Sequence, residues 1–327
     1  MKVRLDNHRT VIHLAGQLGV DARDPVTGIL AFCDRQIRRF LEQFPDCETL
    51  TDLLQISAQQ CGTRFELIDS SKSLDSIVAK YAARNEQAFA VIEKEFMRGV
   101  LGITLRLKAA QPWELPFVSI IDLRGDRRRR SYFTKWHEIA HLLLVGDSQK
   151  TEFHRTHYIG ATTDAEEALV DLVAARCAFN PTLISPHATS AISFHEIDRL
   201  RMRLCPESSK QAALLGFTAA WPTACILLEC RLAAASSGNA TYHPLLRATS
   251  VTVNDAARSI GVSFPTLVSV PPQSVISHVF GRTGKAGQAV ENLSWWLSSR
   301  GDNLASRQVR VEALARKGAV DALLIPI

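Results

Sequence analysis

Two histidines and a glutamate stand in the pattern HExxH at His137, Glu138 and His141, within Thr134–Val145, TKWHEIAHLLLV. On a helix, residues i and i+4 share one face, so both imidazoles can reach a single metal ion. Zinc suits them. It takes imidazole nitrogens at about 2.0–2.1 Å, needs a third protein ligand, and in catalytic sites keeps a fourth position for water. Glu138, beside the first ligand, is placed to take the proton from that water. The remaining residues of the stretch, Trp136, Ile139, Ala140, Leu142, Leu143 and Leu144, are apolar. A helix buried all round should not carry two histidines and a glutamate unless something satisfies them. A metal ion satisfies all three, whereas histidines bonded only to backbone carbonyls would leave Glu138 uncompensated.

The third ligand should come from a neighbouring helix. Asp164–Phe179 reads as an apolar helix closed by Asn180-Pro181, and it carries Glu167 and Asp171 four positions apart. That spacing puts two carboxylates on one face. The first can bind the metal, and the second can accept the Nδ1–H of a ligand histidine and fix its tautomer. Glu166 is the alternative, but it lacks an i+4 partner of this kind and fits a solvated first turn favoured by the helix dipole.

With HEIAHLLL followed by EALVDLVAARCAFNP, and 25 residues between His141 and Glu167, the chain resembles the ImmA/IrrE family of metallopeptidases. In that family HExxH precedes a helix of the form E-x-x-A-[ND]-x-F-A-A. Phe133-Thr134 matches the family's usual entry into the HExxH helix and Ala174-Ala175 its small pair, while Val170 and Val173 stand where Ala and Phe are usual. The likeness covers roughly Arg64–Pro181, about a third of the chain. It implies a zinc-dependent endopeptidase of the cytoplasm that cleaves a small DNA-binding repressor or antitoxin in stress or defence circuits. Larger members similar to this chain carry a helical linker and a GAF-like sensory domain behind the peptidase.

Several other residues invite functional readings without deciding them. Arg124, Arg127, Arg128, Arg129 and Arg130 lie just before the HExxH helix. They read either as a solvated turn or as an electropositive lip for an acidic segment or a polyanion such as single-stranded DNA. His154, His157 and Tyr158, between the two ligand helices, could donate to a tetrahedral oxyanion or belong to a polar loop. Cys177 reads as core, and Trp295 and Trp296 as one core and one partly exposed ring.

The elements that must position these groups follow from periodicity. The first 60 residues or so read as helical, with Ile29, Phe32, Ile37, Phe40 and Leu41 before the Pro45 break and Leu50, Leu53, Leu54 and Ile56 after it. A short strand is expected over Arg64–Asp69. Leu74, Ile77, Val78 and Tyr81 mark an amphipathic helix continuing toward Phe96, and strands are expected at Val100–Leu107 and Phe117–Asp122. Ser208–Arg231 reads as two helices broken at Gly216-Phe217-Thr218, faintly like a helix-turn-helix. Beyond it, strands are expected at Leu245–Val253, Thr266–Val270, Gln308–Ala315 and Ala319–Ile325. The last two are joined by the turn Arg316-Lys317-Gly318, and a helix is expected near Ala289–Ser298.

The expected fold is α+β: a zincin-like metallopeptidase domain over residues 1–186, a helical linker over 187–240, and a smaller α+β, GAF-like regulatory domain over 241–327. Hydrophobic residues make up 46% of the chain and charged ones 22%, the range of ordinary globular proteins. No apolar run reaches the ~20 residues of a membrane span, and the early apolar stretch is broken by His13 and Gln17. The seven cysteines are scattered, which suits free thiols in a reducing cytoplasm. A net charge of +5 permits nucleic-acid contact without arguing for it. The rival reading is a ligand- or DNA-responsive transcriptional regulator with a structural metal site. Against it, a structural zinc has four protein ligands and no need of Glu138, and Ser208–Arg231 carries only Lys210 and Arg231 for DNA.

Overall fold

The structure, a computed structural model, describes residues 5–108, 110–145, 152–156, 164–189, 191–233, 244–298 and 302–327. It is mixed α+β and divides into two compact units. One comprises Met1–Asn180 together with Arg201–Ala212; the other comprises Pro181–Leu200 and Ala213–Ile327.

The first unit opens with three helices, α1 (Arg9–Gln17), α2 (Pro25–Gln43) and α3 (Leu50–Gln60). Local chemistry sets their starts. Asp24 caps α2 with Pro25 at its first position, and Thr49 and Asp52 form a reciprocal capping box on α3. Strand β1 (Thr63–Ile68) and helix α4 (Ser71–Ala82) follow. The helix expected to run toward Phe96 stops at Ala82, because Asn85 adopts a left-handed φ of 61°. A 3₁₀ turn (Gln87–Val91) and the short α5 (Ile92–Met97) then lead to β2 (Val100–Arg106), β3 (Phe117–Asp122) and a second 3₁₀ turn (Gly125–Arg130). Helix α6 (Ser131–Val145), strand β4 (Glu152–Thr156) and helix α7 (Ala165–Ala178) complete the sequence.

The four strands form one sheet in the order β1-β3-β2-β4, with β1 parallel to β3 and the other pairings antiparallel. Its two faces differ. Ile103, Leu105, Val118 and Ile120 project into an apolar cluster with Leu74, Ile77, Tyr81, Phe89 and Phe96 from α4, the 3₁₀ turn and α5. The other parity of β2 and β3 brings Gly102, Thr104 and Ser119 toward α6. Helix α6 is buried almost throughout, Trp136 and Ile139 fully so, and Tyr132 Oη donates to the Ala178 carbonyl of α7 at 2.8 Å. Burying such side chains contributes about 1.5–3 kcal/mol each, which is what holds a helix carrying polar groups in place.

Helix α8 (Pro181–Ile184) belongs to the second unit, while α9 (Phe194–Leu204) and α10 (Lys210–Ala220) each have residues in both. The stretch expected as two helices therefore differs. Gly216-Phe217-Thr218 lies inside the continuous α10, and Ile226–Ala233 is strand β5. The residues expected as the end of a linker are thus the second strand of a five-stranded antiparallel sheet, β6-β5-β9-β8-β7. It contains β6 (Leu245–Val253), β7 (Ala286–Asn292), β8 (Gln308–Arg316) and β9 (Ala319–Pro326), with α11 (Asp255–Ser259) and α12 (Val275–Val279) between strands. Gly318, at φ +71°, makes the tight β8–β9 turn. The helix expected near Ala289–Ser298 is absent; those residues are the end of β7 and a 3₁₀ turn (Leu293–Trp295). Thr266–Val270 forms no regular strand; it joins β6 through the bridge Arg247–Ser269 and backbone hydrogen bonds to Leu246 and Ala248. Trp296 is fully buried in the core of this unit and Trp295 is 44% exposed.

Candidate metal centre

Helix α6 places His137 and His141 one turn apart, with ring centroids 4.8 Å apart. Helix α7, capped by Asp164, which accepts from the Glu166 amide at 2.8 Å, lays Glu167 against both rings. His137 Nε2 is 3.2 Å from Glu167 Oε2, His141 Nε2 is 3.4 Å from Glu167 Oε1, and the two Nε2 atoms are 3.1 Å apart. Donors held tetrahedrally at about 2.0–2.1 Å from zinc are separated by roughly 3.3–3.4 Å, close to each of these pair distances. The two contacts to Glu167 fall on different oxygens, and one donor atom from each residue lies within 4.8 Å of the others.

The donor set suits a cation. Asp171 Oδ1 lies 2.9 Å from His137 Nδ1, which keeps the ring proton of a neutral imidazole on that nitrogen. Nε2 of His137 faces the second imidazole nitrogen and the Glu167 carboxylate. Both histidines are at most 2% exposed. Burial alone would push the Glu167 carboxyl up, but hydrogen bonds and charge from His137 and His141 outweigh it and hold the group far below its ordinary value. His137, His141 and Glu167 could hold a metal ion, and among the described residues no other group of three such side chains meets the same spacing.

Glu138 is fully buried on the sheet side of α6. Thr104 Oγ1 donates to its Oε2 at 2.7 Å, and its Oε1 lies so close to Gly102 that a Cβ there would come within 2.6 Å. Neither Gly102 nor Thr104 was singled out from the sequence. The signal was the alternation of small or polar residues with Ile103 and Leu105 along β2, which acquires meaning only when α6 is laid on that face.

The other expected site residues separate. Arg124 donates to the buried Asp122 at 2.9 and 2.8 Å, and Arg127 also donates to it. Burial pushes the Asp122 carboxyl up, yet Arg124 and Arg127 prevail and hold it below its ordinary value. Two of the five arginines are thus tied to a buried carboxylate, while Arg128, Arg129 and Arg130 are exposed. The turn they occupy also abuts the start of α6: Ser131 Oγ donates to the Arg128 carbonyl and Thr134 Oγ1 to that of Arg130. His154 lies in β4 opposite Ile103 of β2; His157 and Tyr158 lie outside the described residues. Cys177 is buried core, and burial pushes its thiol well up.

One further contact bears on α6. Lys135, 5% exposed, reaches Glu207 Oε2 at 2.7 Å and lies 5.7 Å from the Phe65 ring. Glu207 lies in Arg201–Ala212, the stretch that groups with the first unit. Compared with known proteins, the chain matches no family model and no curated sequence.

Proposed function

We propose that the chain is a zinc-dependent endopeptidase of the ImmA/IrrE kind, with a zincin-like catalytic unit and a GAF-like regulatory unit. The observation that carries the reading is the triangle of His137, His141 and Glu167 donor atoms beside a buried Glu138 that lies outside it. His137 and His141 would hold zinc through Nε2 and Glu167 through its carboxylate, while Asp171 orients His137. Bound there, zinc supplies Lewis acidity toward a peptide carbonyl and acidifies water. Glu138 takes the proton from that water on its carboxylate and returns it to the leaving amine. The buried walls of α6 exclude bulk water from these steps.

The resemblance further suggests that the substrate is a small helix-turn-helix repressor or antitoxin in the cytoplasm, cleaved in a stress or defence response. The five-stranded antiparallel sheet with its short helices is compatible with a sensory role for the second unit. No described helix is long and apolar enough to cross a membrane. Polyanion binding, by single-stranded DNA for example, rests on the exposed Arg128 and Arg129, since Arg124 and Arg127 are engaged by Asp122. The regulator reading loses its DNA-reading element, because the expected helix-turn-helix is a helix and a strand. Co-expression of the chain with the repressor encoded beside it, followed by zinc analysis and mass spectrometry of the repressor, tests the proposal. Zinc near one per chain and a single discrete cleavage are expected. A zinc-loaded chain that leaves every candidate repressor and every peptide of a mixed-sequence library intact would refute it.

A further inference from the structure

Behind Glu138 three hydroxyls run across the sheet. Thr104 Oγ1 is 2.7 Å from Glu138 Oε2, Ser119 Oγ is 2.7 Å from Thr104 Oγ1, and Thr63 Oγ1 is 2.8 Å from Ser119 Oγ. All three are at most 1% exposed. They sit on three adjacent strands, β2, β3 and β1, and Thr104 and Ser119 are direct partners in the β2–β3 register. The hydroxyl inventory fixes their direction. An ionised carboxylate only accepts, so Thr104 gives its single proton to Glu138. It must then accept from Ser119, and Ser119 in turn must accept from Thr63. The other acceptor within reach of Thr63, the Arg64 carbonyl, lies at 3.5 Å. Three O–H dipoles therefore point the same way, each strengthening the next, and all aim at one carboxylate oxygen.

Gly102 completes the seat. It stands two residues before Thr104 on the same strand, and a Cβ there would come within 2.6 Å of Glu138 Oε1 and 2.7 Å of Thr134 Cγ2. The Glu138 carboxylate thus lies over a strand with a donor at one oxygen and bare backbone beside the other. A glutamate has three side-chain torsions, and a seat made of sheet residues removes the freedom they would otherwise have.

We infer that Thr104, backed by Ser119 and Thr63, is a positioning residue for Glu138, holding the carboxylate in one orientation toward the reacting water. The inference rests on the peptidase reading, because only a general base needs its oxygen aimed. Misplacement of a catalytic group by about 1 Å can cost roughly 100-fold in rate. A valine at Thr104 fills nearly the same volume, so Thr104→Val removes the hydroxyl with little change in packing.

The test uses the zinc-loaded full chain, a mixed-sequence fluorogenic peptide library as substrate, and the variants Thr104→Val, Thr104→Ser and Ser119→Ala. Thr104→Val should keep about one zinc per chain and a KM within roughly twofold, while kcat falls about 10- to 100-fold. Thr104→Ser, which restores the hydroxyl, should recover kcat to within about threefold, and Ser119→Ala should fall between the two. A second measurement needs no substrate. In the metal-free chain Thr104→Val should lower Tm by roughly 5 °C, and by much less when Glu138 is already Ala. Unchanged kcat in Thr104→Val, failure of the serine to rescue a folded and loaded chain, or equal Tm losses with and without Glu138 would overturn the inference. Absence of hydrolysis in the unaltered chain, with the Tm coupling intact, would instead sink the peptidase reading and leave Thr104 an anchor without a catalytic consequence.

Discussion

Replacing Glu167 by Ala removes the carboxylate whose two oxygens lie 3.2 and 3.4 Å from the His137 and His141 Nε2 atoms, and its effect on metal affinity can be worked out. Structural zinc in four-ligand sites binds with about 10–16 kcal/mol, or roughly 2.5–4 kcal/mol for each ligand if the ligands share it evenly. At about 1.4 kcal/mol per decade, losing Glu167 should weaken zinc binding by roughly 10²–10³-fold. Glu166 sits one position away, some 100° around the helix, and its substitution by Ala should stay within about threefold. Asp171→Ala keeps all three donors but frees the His137 ring, which should cost about 10- to 100-fold. Competition against a chromophoric zinc chelator at pH 7.5 reads all three, with far-UV circular dichroism confirming that the metal-free chains remain folded. The order expected is Glu167 first, Asp171 second, Glu166 last. A larger loss for Glu166→Ala than for Glu167→Ala would move the third ligand and refute the geometry.

Glu138→Gln should retain about one zinc per chain and lower hydrolysis by roughly 10²–10⁴-fold, because a base and not a ligand is lost; elemental analysis showing a metal-free variant would count against it. Glu207→Ala should destabilise the first unit by about 1–3 kcal/mol, since it strands the buried Lys135 ammonium, whereas Lys135→Met should stay within about 1 kcal/mol of the parent. Denaturant midpoints check both, and equal losses in the two variants would mean that the pair contributes through attraction and not through the cost of an orphaned charge. Glu312, whose carboxyl is pushed up by burial, accepts from the Phe194 amide at 3.3 Å, while its Oε2 meets no hydrogen-bond donor among the described residues. Its folded pKa lies above its unfolded value, so its contribution is fully present below the ordinary carboxylate range and is lost as pH rises through the folded value. Glu312→Gln should therefore raise Tm near pH 8 and change it little near pH 4; a uniform shift at both would exclude titration as the cause.

What could be read from the residues, and what could not, follows the range of the interactions. Local signals did well. The helical spacing in α2, α3 and α4, the Asn180-Pro181 stop of α7, and the Arg316-Lys317-Gly318 turn all act within a few residues. Failures came where one pattern fits two structures. Ile226–Ala233, ILLECRLA, is a short apolar run that a buried helix or a central strand would both accept; pairing with β6 and β9 decides it. Ala286–Asn292, AGQAVEN, has helix-favouring alanines, yet it is an edge strand because β8 offers it a full ladder. The break at Asn85 was hidden because the apolar spacing of α4 leads on toward Phe96, while a single left-handed residue ends it.

The same distinction runs through the site. His137, Glu138, His141, Glu167 and Asp171 are legible because each useful pair is four residues apart on a helix. Thr104 and Ser119 are not, because Thr104 lies 34 residues from Glu138 and 15 from Ser119, and their roles exist only in the cross-strand register. A threonine in a strand is ordinary β-former chemistry until the helix above it carries a carboxylate. Asp122 shows the converse. The arginines after it looked like a surface feature because charge runs usually are, but the buried carboxylate withdraws Arg124 and Arg127 into the fold. The exposed Arg128, Arg129 and Arg130 stand in the turn that begins α6, the helix carrying His137 and His141. An anion bound there would meet the backbone that positions His137, which gives the polyanion reading a physical route to the site that composition alone could not supply.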